Sequence, residues 1–371
     1  MNVKRPPLVK LLVCAGLAAI LACGRGVQTA SDPSFARQIR ELSEPGGSFD
    51  TDNLISNERS YLHVIPALKQ GGAMGGAYVG VGPDQNFSYI AASRPSEAFI
   101  IDVRRDNLLL QLLFKALFEI SETRADYLGH LFGRKLQPPP DQWRAAALDR
   151  IAAQIDQAQP NPDDLKALHK QVAAQVAGFG LPLSARDLAT IQRFHETFID
   201  AGLSLKFQSF GRAPRSYYPT YRELLFETDR AGRHASFLIS EDDYQFVRGL
   251  QLRNAVVPVV GNLAGPSALA AIGHAVGQRG ETISVFYVSN VELYLFQDGI
   301  FQHFADTVSA LPHSSRSVFI RSIFTGPGVW SLPDTAPGYA SASVTQRMDD
   351  FIADYKARKY TSYDGLISSL R

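Results

Sequence analysis

Between Tyr78 and Asp102 the chain reads YVGVGPDQNFSYIAASRPSEAFIID, and no other stretch restricts its fold so strongly. Gly75 to Val81 is a short apolar run with glycines at its end, Gln85 to Ser93 has the make-up of a short helix, and Ala98 to Val103 is a second apolar run holding an acid. Such short, continuously apolar runs read as strands buried on both faces, and the order strand, helix, strand calls for parallel strands joined by a helical crossover. Gly80 and Gly82 let the backbone turn tightly and approach a ligand, while Asp102, twenty residues beyond Gly82, stands where a carboxylate accepts ribose hydroxyls. The plainer reading of the same residues is a turn and nothing more, with Asp102 paired to Arg104 or Arg105.

The pattern recurs later. Asn107 to Ile120 is helical and apolar on most sides; Ala255 to Val260 and Thr282 to Val288 read as strands, Ser267 to Gly277 and Val291 to about Leu311 as helices. Arg316 to Phe324 alternates apolar and polar residues, as a late edge strand does, and a final helix spans Ser343 to Arg358 before a tail over 359–371. From about 121 to 204 the chain is helix after helix, rich in Ala, Gln, Leu and Arg. The expectation is an α/β domain over 54–358: a Rossmann-like, doubly wound, mostly parallel sheet with a large helical insertion.

The Tyr78 to Asp102 segment resembles class I methyltransferases. That resemblance implies S-adenosylmethionine held over Gly80 and Gly82, with Asp84 and Asn86 beside it and the ribose on Asp102. Tyr78 replaces the acid common two residues before the first glycine, and Asp84 replaces the third glycine. A carboxylate there opposes a pyrophosphate and suits a sulfonium or ammonium, which favours S-adenosylmethionine over a dinucleotide. Asn86 reads equally as a helix cap. The chain also resembles a family of uncharacterised bacterial lipoproteins that carry the GVGPDQN turn and a later SNVE.

Open parallel sheets bind ligands at the carboxyl ends of their strands. Gly261-Asn262 and Ser289-Asn290-Val291-Glu292 follow two such ends. The methyltransferase resemblance implies that Asn262, Asn290 and Glu292 hold the methyl acceptor, with Glu292 as base; Asn290 is equally a cap for the helix starting at Val291. Ser56, Asn57 and Glu58 either close a pocket over the glycine turn or cap the helical run behind them. Tyr217, Tyr218 and Tyr221 read as packing for the helical insertion. Eight histidines lie scattered without metal-ligand spacing, so no metal is expected. Neither GxSxG nor GxxxxGK[ST] occurs.

At the start, Lys4, Arg5 and Lys10 precede a charge-free apolar run from Leu11 to Cys23, too short to span a bilayer. Ile20-Leu21-Ala22-Cys23 resembles a bacterial lipobox, which implies a signal peptide over 1–22, a lipid on Cys23 and, with Gly24 next, an outer-membrane address in the cell envelope. Residues 23–53, rich in Gly, Ser, Asp and Pro, read as a lipidated tether with one short helix around Ala36 to Leu42. Cys14 leaves with the signal, so the mature chain has no disulfide, and the formal charge falls from +1 to −2, which gives no footing for nucleic acid. Two functions follow: an exported domain that binds S-adenosylmethionine or a related nucleoside, or a non-catalytic binding or scaffolding lipoprotein whose insertion meets a partner.

Overall fold

A helix precedes everything that the sequence marks as folded. The computed structural model describes residues 33–370 apart from 52, 138–139, 211–212, 214, 326–331 and 333–334; the predicted signal segment 1–22 and Cys23 lie outside them. Helix α1 (Pro33–Leu42) buries Phe35, Ala36, Ile39 and Leu42 against the body of the domain. Residues 33–51 are therefore part of the fold, and the expected tether over 23–53 is corrected for that stretch. The apolar stripe at 35, 36, 39 and 42 has helical spacing, and the short helix expected there is docked on β3 and α11 instead of standing in a tether.

After α2 (Ile65–Gly71) come β1 (Ala77–Gly80), α3 (Gln85–Ser93), β2 (Glu97–Asp102) and α4 (Arg105–Ile120). The chain then runs through α5 (Arg124–Leu131), α6 (Leu148–Gln157), α7 (Pro162–Gly178), α8 (Ala185–Ala201), α9 (Tyr221–Leu225) and α10 (Glu241–Leu252), with no sheet strand among the described residues. It returns through β3 (Val256–Val260), α11 (Ala268–Gln278), β4 (Ile283–Ser289), α12 (Val291–Gln297) and α13 (Phe301–Ala310), and ends in β5 (Val318–Phe324), β6 (Ser341–Arg347), α14 (Met348–Lys356) and α15 (Tyr363–Ser368).

The result is a mixed α/β structure around one six-stranded sheet of order β3-β2-β1-β4-β5-β6. All neighbours are parallel except β6, which runs antiparallel to β5. Every residue of β1 and β3 is buried, as their apolar runs require. Pro258 is accommodated because β3 is an edge strand, where a missing N–H costs least.

Four expectations change in the last third. Arg316 to Phe324 is not the edge strand, because β6 covers β5. The helix expected from Ser343 begins at Met348, and Ser341–Arg347 extends along β5 instead. The expected tail over 359–371 contains α15, with Leu366 and Ile367 buried. The single helix expected from Val291 is broken at Gly299, whose φ of 70° is easy only for glycine.

Side-chain capping fixes the helical starts in the long middle stretch: Thr123 with Asp126 on α5, Ser184 with Asp187 on α8, and Thr220 with Glu223 on α9 form reciprocal capping boxes. An aromatic cluster joins this stretch to the sheet, with Phe118 of α4 stacked on Tyr244 at 5.4 Å and edge-on to Phe87 at 5.3 Å. Beside it, buried Lys115 pairs with Glu119 at 2.9 Å and sits about equally far over Phe35 and Phe179, at 5.0 and 5.1 Å. Among the described residues no helix is long and apolar enough to cross a membrane.

Candidate functional site

The turn after β1 is built from inside. A Cβ on Gly80 would run into the Asn86 amide oxygen and the Tyr78 hydroxyl, so only glycine fits. Tyr78 donates to Asn86 Oδ1 at 2.7 Å, and Asn86 Nδ2 donates to the Val81 and Pro83 carbonyls at 2.9 and 2.7 Å. Asn86 is thus a fully buried brace for the turn, and neither it nor Gly80 reaches the cavity wall. Gly82 does reach it, with φ at +86°. Its carbonyl is held by Asn107 Nδ2 and Gln111 Nε2 of α4, both at 3.1 Å.

Asp84 turns the other way. Its carboxyl accepts from the Tyr221 hydroxyl, and burial pushes it up to about 7. It lines a separate space of about 20 Å³, room for one water, with Tyr61, Ser88 and Tyr221. The expectation that Asp84 and Asn86 flank a cofactor is corrected on this geometry: one grips the middle stretch and the other the turn.

Asp102, at the end of β2, both lines the cavity and pairs with Arg104. Arg104 Nη2 lies 2.8 Å from Oδ2, Nε and the backbone N–H donate to Oδ1, and Asn107 adds a bond at 3.1 Å. Arg105 is not involved; it binds Asp187 through two 3.0 Å bonds. After β3, Asn262 Oδ1 accepts from the Ala264 N–H at 2.9 Å, and the Asn262 N–H donates to Glu44. After β4, Ser289 adopts φ +53° and places Asn290 on the same wall as Gly82.

Glu292 is absent from that wall. Arg321 Nε and Nη2 bind its carboxylate at 2.5 and 3.0 Å, and each side chain is 1% exposed. A carboxylate occupied in this way is not positioned as a base, so that expectation is corrected.

Ser56, Asn57 and Glu58 all line the cavity. Ser56 Oγ accepts from the Glu58 N–H at 3.0 Å, a local turn in which Glu58 makes no side-chain cap. The Glu58 carboxyl instead faces the sheet: Tyr287 donates to Oε2 at 2.5 Å and Ser289 donates to Oε1. Burial raises it above the usual carboxylate range, against the pull of these donors.

The cavity has a volume of about 520 Å³ and lies outside the carboxyl ends of β1 to β4. Residues far apart in sequence close it, Phe49, Thr51 and Asn53 on one side and Phe207, Tyr217 and Tyr218 on the other, joined by a Thr51–Ser209 bridge and a 2.6 Å bond from the Phe210 N–H to the Asp50 carbonyl. The aromatic ones were missed as site residues in the sequence. Phe49 meets Tyr294 edge-on at 4.9 Å, and Tyr217 lies 6.3 Å from Phe324, all four on the wall. The run SYYPTY was the available signal. Among the described residues no cluster of three or more His, Cys, Asp or Glu is placed to hold a metal ion.

A comparison with curated proteins gave no match. A family model described as Domain of unknown function (DUF7790) matches residues 54–370, which takes in the whole sheet, the long helical stretch and four strand ends around the cavity. The chain belongs to that family.

Proposed function

We propose that this is a Rossmann-like, methyltransferase-related domain with a helical insertion between β2 and β3, and that its cavity binds S-adenosylmethionine or a related nucleoside. One observation carries the reading: Gly82, Asp102, Asn262 and Asn290, from the ends of four different strands, line one cavity. The strand order matches that of nucleotide-binding sheets, with β1 and β4 flanking the point where the order reverses, and ligands of such sheets bind there. The volume falls within the roughly 300–1,000 Å³ of small-molecule sites.

Calorimetric titration with S-adenosylmethionine, its demethylated product and adenosine tests it. Asp102→Ala should weaken nucleoside binding by about 1.5 to 3 kcal/mol, the range for a hydrogen bond to a charged group. Asp102→Asn, which keeps an acceptor for Arg104, controls for folding. No heat from the wild type at millimolar ligand ends the nucleoside reading.

Binding without chemistry is the second reading, and the pairing of Glu292 with Arg321 favours it, because it removes the base that the sequence nominates. A methyl-transfer assay that yields no product from a protein that binds the nucleoside supports this second role. We also propose export, with lipidation at Cys23 holding the domain at the outer membrane; its ligand then reaches it outside the cytoplasm.

A further inference from the structure

Glu58 is 1% exposed and lines the cavity, and among the described residues no cation is paired with it. Its donors are two neutral hydroxyls, those of Tyr287 and Ser289. The other titratable groups close to it are the hydroxyls of Tyr78, Tyr89 and Tyr363. Among the described residues, three nearby arginines are engaged elsewhere: Arg59 with Glu227 at 3.0 Å, Arg104 with Asp102, and Arg321 with Glu292. Arg215 and Asp298 lie on the same cavity wall but are solvent-exposed.

A carboxylate removed from water without a counter-charge is costly, and a cation brought to it recovers part of that cost. The cavity also presents Phe49, Tyr217, Tyr294 and Phe324, and aromatic faces attract cations. Resting on the nucleoside reading above, we infer that Glu58 recognises a positively charged group of the ligand, a sulfonium or an ammonium, and forms an ion pair with it inside the cavity. The role that the sequence offers to Asp84 belongs to Glu58, because Asp84 faces the other side of the turn.

A cation beside Glu58 favours its ionised form, so binding expels a proton wherever the empty site holds one. S-adenosylmethionine and S-adenosylhomocysteine share the nucleoside and differ in the sulfonium charge. In calorimetry at pH 6 with two buffers of different ionisation enthalpy, the first should bind at least tenfold more tightly and release protons, and the second should release none. Glu58→Gln should abolish the release and bring the two affinities within a few-fold of each other. Tetramethylammonium should raise the melting temperature of the wild type and leave Glu58→Gln unmoved.

Equal affinities without proton release, or equal weakening of both ligands by Glu58→Gln, overturns the inference and leaves the nucleoside reading standing. If neither nucleoside binds, that reading falls, and tetramethylammonium decides the role of Glu58 alone. The wild-type measurements stand even if the variant does not fold.

Discussion

The Arg321 guanidinium closes on the Glu292 carboxylate through two hydrogen bonds, and the same arginine packs over the rings of Phe319 at 4.6 Å and Phe351 at 5.4 Å. Removing one member of such a buried pair strands the other. Glu292→Ala should cost about 3 to 5 kcal/mol in urea unfolding, with the affinity of the remaining folded protein for any ligand unchanged. A variant of wild-type stability that fails to bind would return Glu292 to the site.

Asp84 supplies a pH dependence of known sign. Its folded value of about 7 exceeds the ordinary 3.8, with burial as the main cause. Between about pH 4 and 7 the folded chain keeps a proton that the unfolded chain has lost, so this contribution to stability is present below pH 4 and is lost as pH rises to 7. The loss is on the order of a few kcal/mol, from about 1.4 kcal/mol per unit. Glu58 acts with the same sign, while buried His130 and His195, both pushed down to about 4 by burial, act oppositely. The comparison of wild type with Asp84→Asn in urea at pH 5 and pH 8 isolates the effect: the wild type should lose more stability at pH 8. Identical pH profiles would remove Asp84 as the source.

Glu44 joins the first folded segment to the rest. Its carboxylate accepts from the backbone N–H groups of Asn262, Ser267 and Ala268 at 2.9 to 3.0 Å, at the start of α11. Burial raises its pKa, and these donors together bring it below the usual carboxylate value. Glu44→Ala should destabilise by about 1 to 3 kcal/mol near pH 7, with the difference shrinking as pH falls below the ordinary carboxylate range and through the lowered folded value. Unchanged melting temperature at neutral pH would contradict this.

Cys23→Ser should convert a detergent-extracted, lipid-bearing protein into an unprocessed form in a host that processes lipoproteins. Mass spectrometry of the wild-type N-terminus reads the modification directly. A wild type that partitions into water without detergent disposes of the anchor.

The sequence made β1 to β4, α3 and α4 visible because each combines a continuous apolar run or stripe with a glycine or polar boundary. β6 escaped because SASVTQR is small and polar, and its pairing with β5 depends on a partner that local pattern does not reveal. Gly82, Asp102, Asn262 and Asn290 were found from their places at strand ends. Asp84 and Glu292 were misassigned for one physical reason: a carboxylate's direction is set by the group that comes to meet it, here Tyr221 and Arg321. The SYYPTY run was legible as aromatic but not as part of the wall, because Phe49 and Tyr217 become neighbours of the strand ends only through long-range closure.

The Thr51–Ser209 bridge also places the closing of the site among the remote contacts of the chain. Gly82 and Asp102 lie close in sequence, whereas the bridge joins positions 158 residues apart and bears the high loop-closure entropy of remote contacts. The floor needs remote contacts as well, since β1 pairs with β4 across 206 residues and β2 with β3 across 158, so floor and roof both wait on long-range closure while the helices form from local contacts. During refolding, recovery of ligand affinity should lag behind the return of helical circular dichroism, and a chain stalled before roof closure carries an open trough in place of a binding site.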